Sequence, residues 1–318
     1  MSELARAVSA EPPRLLPLRE WEPTKTTLHL WTQIVGKVRL ALAPARNHWW
    51  HVPLYVDVRG LTTRRLHADG ITFQVDFDFV DHRLRVLSAD GEESSFELRD
   101  GLSVADFDRE LHARLARLGV DVAIREQPFG VPMTTPFPDD REHASYDPEA
   151  AANFWRALDW TDAIFDEFAG RFCGKTSPIH LFWHSLDLAF SRYSGAPAPP
   201  LPGADAITRE AYSHEVIAFG FWAGDEQLPE PAFYSYTSPE PVGLRSAPLE
   251  PAMAAWVERG NGSLAVLPYA AVAASAAPRA CLLTFLESAY QAGAHAAGWP
   301  MSELEASLNT PKEGAPAT

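Results

Sequence analysis

Cysteine is scarce in this sequence, and long apolar runs are missing. Only Cys173 and Cys281 are present among 318 residues, which is too few for the disulfide framework of a small secreted scaffold or for a cysteine-rich zinc module. No segment approaches the roughly 20 apolar residues that span a bilayer. Residues 1–18 lack a basic region followed by an apolar run, which is the pattern of a secretion signal. We therefore expect a soluble cytoplasmic protein that does not bind membranes.

Basic residues are outnumbered by acidic ones. The chain has 27 lysines and arginines against 42 aspartates and glutamates, so its formal net charge is −15. A charge of this sign repels a polyanion, and a nucleic-acid partner is therefore not expected. Hydrophobic residues make up 46% of the chain and charged residues 22%, as in other folded globular proteins. Small molecules and proteins remain as partner classes.

Motifs that bind common cofactors are missing as well. The sequence has no Gly-rich loop ending in Lys-Ser/Thr, and no Gly-x-Gly-x-x-Gly follows a strand pattern. It also has no Gly-x-Ser-x-Gly nucleophile elbow. No cofactor is predicted, and acid–base chemistry by side chains is the mechanism that fits this composition best.

Periodic patterns predict helices and strands in the first half of the chain. Apolar residues recur at helical spacing over residues 26–42 and 104–118. Ser103 and Asp106 form the pattern of a helix N-terminal cap before the second stretch. Between the two helices, residues 71–79 alternate strictly between apolar and polar side chains, which predicts a half-buried antiparallel strand.

The second half repeats this order. Asp147 and Pro148 begin a helical pattern, and Pro278 opens a last helix. Strand patterns lie between them, at residues 179–190, 215–222, 232–237 and 263–269. We predict an α+β fold, built as a tandem pseudo-twofold repeat of helix, antiparallel strands and helix, with the sheets covered by helices.

Proline-rich stretches mark the predicted boundaries along the chain. The predicted segments are a flexible N-terminal lead-in (1–20), a first α+β repeat (21–127), a linker (128–146), a second α+β repeat (147–300) and a flexible C-terminal tail (301–318).

Several strings of this sequence resemble a bacterial family catalogued as domain of unknown function 5996. The resemblance covers nearly the whole chain, from about Leu16 to Trp299. It implies one unit of cytoplasmic type over residues 20–300, but no activity, cofactor or catalytic residue. The strings are "LHLWTQIVGKVRL", "NHWWHVPLYV", "ITFQVDFDFVDHRL", "FWHSLDLAFSRYSG", "REAYSHEVIAFGFW" and "PAFYSYTSPEP".

The helix predicted over residues 26–42 carries a polar row. His29, Gln33 and Lys37 lie four residues apart on one face, while the apolar stripe lies elsewhere. A solvated face is the simpler interpretation. The alternative is the wall of a site, because the matching face of the first helix in the second half is an ordinary charged exterior. Gly36 costs about 1 kcal/mol relative to alanine inside a helix, which predicts close approach of another backbone.

The segment "HLFWH" contains His180 and His184, followed by Asp187. On a helix, two histidines four residues apart could ligate one metal ion. On a strand they would lie roughly 13 Å apart, which is too far. We favour the strand, because the equivalent stretch of the first half, around Pro53, is typical of a strand. A shared metal site is therefore not predicted.

Two further strand patterns carry groups that bind or exchange protons. His214 begins one of them and is a candidate general base, although an edge position in water would also explain it. Tyr234 and Tyr236 share one face of another strand, where they would line a pocket or simply cover the sheet. His48 lies in a dense polar and aromatic stretch, and Trp183 is one of 10 tryptophans, a residue type that often forms pocket walls.

Two functional hypotheses follow. The first is a small-molecule enzyme or ligand-binding protein, with its site in a cleft between the repeats. The second is a non-catalytic binding or assembly module with an aromatic-rich interface, and a homodimer is one form of such an assembly. The candidate catalytic residues are His29, Lys37, His184, Asp187 and His214. The candidate substrate-binding residues are Gln33, His48, Trp183, Tyr234 and Tyr236.

Overall fold

The computed structural model describes residues 11–225, 228–260 and 262–306. Its helices are α1 (Leu18–Leu42), α2 (Val104–Arg117), α3 (Pro148–Ala169), α4 (Ala206–Ala211), α5 (Tyr269–Ala273), α6 (Pro278–Ala297) and α7 (Met301–Leu304). Its strands are β1 (Tyr55–Asp57), β2 (Gly60–Thr62), β3 (Leu66–Ala68), β4 (Ile71–Asp78), β5 (Arg83–Ser88), β6 (Glu93–Glu97), β7 (His180–Phe182), β8 (Asp187–Pro197), β9 (His214–Trp222), β10 (Ala232–Ser238), β11 (Ala255–Arg259) and β12 (Gly262–Pro268).

The helix ends follow from capping residues read in the sequence. The Ser103 side chain accepts a hydrogen bond from the backbone N–H of Asp106, and α2 begins directly after it. Asp147 accepts from two backbone N–H groups, and α3 begins at Pro148. Both predicted caps are confirmed. They lie there because the unpaired N–H groups at a helix start need such acceptors. The first helix was predicted to begin at residue 26, but it begins at Leu18.

The strands form two antiparallel six-stranded sheets. The first has the order β1-β2-β4-β5-β6, with β3 paired to β4, and the second has the order β11-β12-β10-β9-β8-β7. The two sheets meet at their first strands. There Leu54 and Leu181 exchange two backbone hydrogen bonds of 2.9 and 2.8 Å. Mixed helices and antiparallel sheets make this an α+β protein, as predicted.

One hydrophobic core runs through both halves. In α1, the indole ring of Trp31 stacks on Phe107 of α2, with ring centroids 5.0 Å apart, and Trp21 packs on Phe154 of α3. In the second sheet, alternate side chains of β8, β9 and β10 point into this core. They include Leu188, Phe190, Ile217, Phe219, Phe221 and Phe233. The side chains on the opposite face of the second sheet therefore point away from this core.

Both halves run helix, antiparallel strands, helix, but the tandem duplication stays a prediction. Residues 301–306, which were predicted to belong to a flexible tail, include α7, and Glu305 bridges to Phe172. The other predicted tail residues, and residues 1–10 of the predicted lead-in, lie outside the described residues. Within the described ranges, no helix is both long enough and apolar enough to cross a membrane. The cytoplasmic location stays a prediction.

Candidate functional site

A cavity of about 1150 Å³ lies against the face of the second sheet that points away from the core. Its volume lies slightly above the usual range for small-molecule sites, about 300–1,000 Å³. Three other parts of the chain complete the wall: the C-terminal part of α1 with the 3-10 turn at Asn47–Trp49, the segment 123–129, and α4. The cavity therefore lies between elements of both halves.

Small side chains leave room for this cavity. Ala189 and Ser191 of β8 and Ala218 of β9 line it, and they alternate with the bulky residues that face the core. Gly220 lies between Ala189 and Tyr234 in the sheet register. A Cβ on Gly220 would overlap the Tyr234 ring, so this glycine allows the tyrosine to lie across β9 toward β8.

The Asp187 carboxylate is the hydrogen-bonding centre of the cavity wall. It accepts hydrogen bonds from the Tyr234 hydroxyl, which comes from two strands away, and from the hydroxyl of Ser185. Asp187 begins β8 and is only 8% exposed. Its partners thus fix the carboxylate in a defined position on the wall.

A second pair of tyrosines continues this network. The hydroxyl groups of Tyr212 and Tyr236 lie 2.9 Å apart, and the rings of Tyr234 and Tyr236 are nearly parallel with centroids 6.3 Å apart. Burial and the nearby charge of Asp187 raise the pKa of Tyr234 well above its usual value, and burial and Tyr212 raise that of Tyr236. Both hydroxyls therefore stay protonated at neutral pH, and that of Tyr234 donates to Asp187.

His184 also lines the cavity. Burial lowers its pKa, and the charge of Asp187 opposes that shift. The ring of His184 lies against Phe129, with centroids 6.0 Å apart. His29 of α1 lies behind it, against the backbone of Trp183 and His184, and does not line the cavity. Burial lowers the pKa of His29 to about 4, so this imidazole is neutral at pH 7.

The polar row of α1 is buried, so its interpretation as a solvated face is wrong. The Gln33 amide donates to the backbone carbonyl of Phe129 over 2.9 Å and accepts from the N–H of the same residue over 2.8 Å. The Lys37 ammonium donates to the carbonyls of Arg125, over 2.8 Å, and Gln127. Lys37 itself lines the cavity. The row mainly fixes segment 123–129, which in turn forms part of the wall.

Gly36 does permit a close approach, but of a side chain rather than a backbone. A Cβ at this position would overlap the indole ring of Trp183, which lines the cavity. The indole N–H donates to the carbonyl of Val52 over 3.0 Å. The tryptophan is thereby held between α1 and the chain that leads into β1.

Residues 179–190 form a hairpin rather than one strand. β7 ends at Phe182, a turn follows in which Leu186 has a φ of 54°, and β8 begins at Asp187. His180 lies on β7 at the cavity wall, where its Nδ1 has no hydrogen-bond partner within the described ranges. Burial lowers its pKa to about 3. Among the described residues, no three His, Cys, Asp or Glu side chains come together as a metal-binding group.

His48 and His214 form a second cluster at the edge of the cavity. The His48 Nε2 lies 2.6 Å from the Lys175 ammonium, and its Nδ1 lies 3.2 Å from the carbonyl of Ala211. This geometry assigns the proton to Nδ1, because Nε2 must accept from lysine. The rings of His48 and His214 are 5.4 Å apart, but His214 does not line the cavity.

Two exposed apolar side chains mark the rim. Phe129 is 54% exposed and Ile207 of α4 is 47% exposed, and both line the cavity. The carbonyl of Ala211 at the end of α4 accepts the hydrogen bond from His48 described above. Segment 123–129 and α4 are thus the two elements that border the opening.

Seven of the ten candidate residues line this one cavity, and three do not. Those that line it are Lys37, His48, Trp183, His184, Asp187, Tyr234 and Tyr236; those that do not are His29, Gln33 and His214. Their functional roles stay predictions.

Sequence reasoning missed the residues that create the space and complete the network. Tyr212 and Ser185 bond to predicted residues but carry no motif of their own. The sequence did contain a signal for the space, because small residues alternate with a phenylalanine at the centre of both strands: Ala189 and Ser191 flank Phe190, and Ala218 and Gly220 flank Phe219. Small side chains on the same face of two adjacent strands indicate that space is left above that face of the sheet.

The family of unknown function DUF5996 matches residues 13–306. The chain belongs to this family. Comparison with curated proteins and with solved structures finds no match. The resemblance noted in the sequence is thereby confirmed, and the function has to be argued from the cavity.

Proposed function

We propose that this member of DUF5996 binds a small molecule in the cavity of the second sheet. The bound molecule has an apolar body that lies over Ala189 and Ala218, and a polar group that meets Asp187 and Tyr234. The observation that carries this proposal is the combination of a large, mostly apolar cavity with one fixed carboxylate and its hydroxyl partners. This combination is typical of small-molecule sites.

Binding of the neutral fluorescent dye Nile red tests this proposal. We expect one saturable site in the wild-type chain, with increased dye fluorescence. Ala218→Leu fills part of the cavity without changing a polar group. We expect it to weaken binding at least about tenfold, because the isobutyl side chain of leucine competes with the ligand for volume.

Ala116→Leu is the matched control, since Ala116 is exposed on α2 and does not line the cavity. It should leave dye affinity unchanged. If wild-type protein does not bind the dye, or if both leucine variants bind it as well as the wild type does, the proposal is wrong. Thermal unfolding of each variant verifies that the fold is retained.

Acid–base catalysis on the bound molecule is a second candidate. It is favoured by the Tyr234 hydroxyl, a proton donor held on the Asp187 carboxylate, and by the neutral His184 nearby. Ligands found by a binding screen would be incubated with wild type and with Tyr234→Phe, and followed by mass spectrometry. If the wild type converts a ligand, and Tyr234→Phe binds it with the same affinity but does not convert it, catalysis is supported. If the wild type converts none of the ligands, the protein binds them without catalysis.

The assembly-module alternative has less support. All ten tryptophans lie in the described ranges, and none is exposed. An aromatic-rich interface would need such rings at the surface. Light scattering coupled to size-exclusion chromatography would report whether the chain forms the predicted homodimer.

We also infer that the two halves arose by tandem duplication. The strand orders run outward from the Leu54–Leu181 bridge, as β1-β2-β4-β5-β6 on one side and β7-β8-β9-β10-β12-β11 on the other. This arrangement supports a pseudo-twofold axis near the bridge and a cavity between the repeats. Superposition of the halves tests it: a fit that aligns α1 with α3 and β4 with β9 is expected.

A further inference from the structure

Asp187 is a buried carboxylate, and it has no cationic partner among the residues that the structure describes. Its hydrogen bonds come from two neutral hydroxyls, those of Ser185 and Tyr234. None of the ion pairs found among the described residues includes Asp187. A buried charge costs free energy unless it is paired. The carboxylate is thus a place where a positive charge would be stabilised.

Within the described part of the chain, the basic side chains nearest to Asp187 form no ion pair with it. Burial lowers the pKa of His184, and burial lowers that of His180 to about 3, so both are neutral. The ammonium of Lys37 is directed to the carbonyls of Arg125 and Gln127. Lys175 contacts His48 instead.

Aromatic rings lie beside this carboxylate. The ring faces of Tyr234 and Tyr236 are nearly parallel and both residues line the cavity, together with Trp183. The Tyr234 hydroxyl donates to Asp187, and the Tyr236 hydroxyl pairs with that of Tyr212. Cations are attracted to the faces of tyrosine and tryptophan rings. A carboxylate bordered by aromatic rings is a combination that suits an ammonium group and its attached carbons.

We propose that the natural ligand is an organic cation, an amine with an apolar body, whose ammonium group binds Asp187 and whose body lies over Ala189 and Ala218. This inference rests on the proposed function, because it names the ligand class of the same cavity. The net charge of −15 would also favour the approach of cations over anions.

A series of three probes with one apolar body tests the ligand class: phenylbutylamine, phenylbutanol and phenylbutyrate. Binding is followed by displacement of Nile red and by quenching of tryptophan fluorescence at neutral pH, where the amine is charged. We expect the amine to bind at least about tenfold more tightly than the alcohol, and the carboxylate to bind most weakly, because only the amine pairs with Asp187.

Asp187→Asn keeps the shape of the side chain and one acceptor for Tyr234. It should remove the preference for the amine, so that the amine and the alcohol bind the variant with similar affinity. If this variant does not fold, the ranking of the three probes on wild-type protein decides alone. Equal binding of amine and alcohol, or tighter binding of the carboxylate, would overturn the inference while Nile red binding still supports the cavity. If wild-type protein binds none of the three probes and does not bind Nile red, the proposed function itself is refuted.

Discussion

At the scale of single residues, the site depends on side chains that are too small to fill the space above the sheet. Ala189, Ser191 and Ala218 leave a hollow, and Gly220 lets the Tyr234 ring cross β9 to reach Asp187. Close packing is the rule in protein interiors, so an unfilled sheet face with fixed polar groups has to be maintained by such choices.

Gly36 illustrates a residue whose local cost is offset by a tertiary contact. Alanine would stabilise the helix by about 1 kcal/mol through propensity alone, but its Cβ would overlap the Trp183 indole. We expect Gly36→Ala to lower the free energy of unfolding by about 1–3 kcal/mol, as overpacking does in cores. Urea denaturation measures this change.

The effect of Gly36→Ala on the free energy of unfolding should change sign when the indole ring of Trp183 is removed. In a Trp183→Leu background, Gly36→Ala should raise the free energy of unfolding relative to Trp183→Leu alone, because only the propensity term remains. If Gly36→Ala destabilises both backgrounds equally, the contact with the indole is not the reason for this glycine.

At the scale of elements, α1 holds segment 123–129 in place. Gln33 pairs with both backbone groups of Phe129, and Lys37 bonds to two carbonyls further upstream. A segment without regular structure has no hydrogen-bond ladder of its own, so buried side chains must satisfy its backbone. Side chains of α1 therefore hold this part of the cavity wall in place.

Gln33→Leu tests this anchoring. We expect the free energy of unfolding to fall by about 1–2 kcal/mol, because two hydrogen bonds are lost, and amide exchange at Phe129 to accelerate more than exchange in the sheets. Hydrogen exchange followed by mass spectrometry measures it. Gln291→Leu on α6 is the control, since the Gln291 amide bonds to Glu287 and Glu305, on the side of the sheet away from the cavity. Unchanged protection at Phe129 in Gln33→Leu would contradict the anchoring role.

At the scale of the whole molecule, neutral buried histidines make stability depend on pH. Burial lowers the pKa of His29 from 6.5 to about 4 and that of His180 from 6.5 to about 3. Below pH 6.5 the unfolded chain binds protons that the folded chain does not, so this stability is present above pH 6.5 and is lost as pH falls toward 4 and 3. Burial raises the pKa of Asp162 to about 7, and this group acts in the opposite direction.

We expect the free energy of unfolding to be lower at pH 5 than at pH 7, with His29 contributing about 2 kcal/mol of the difference. Urea denaturation at the two pH values measures it. His29→Gln keeps a neutral polar side chain and should reduce the pH dependence by about that amount. His67→Gln is the matched control, because His67 is exposed. An identical pH dependence in wild type and His29→Gln would show that His29 is not a neutral buried group.

Much of the fold could be predicted from the sequence. The caps at Ser103 and Asp147 and the alternation of β4 arise from local rules, since helix starts need acceptors and strands alternate their faces. The N-terminal part of α1, from Leu18 through Pro23, could not be predicted in this way. Pro23 is the sixth residue of α1, so it removes one backbone hydrogen bond inside the helix, and a rule based on local sequence reads such a proline as a helix break.

The sequence by itself determined the helix and strand patterns, the α+β class and the family. It also identified seven residues that line the cavity, among them Asp187 and Tyr234. Only the tertiary structure decided that His29 and Gln33 are buried, and that Asp187 meets Tyr234 across an intervening strand. The physical reason is distance along the chain: a spacing of four residues describes one helix face, but only packing determines what that face touches. Whether a polar row meets water or a backbone segment 96 residues away is settled by the fold.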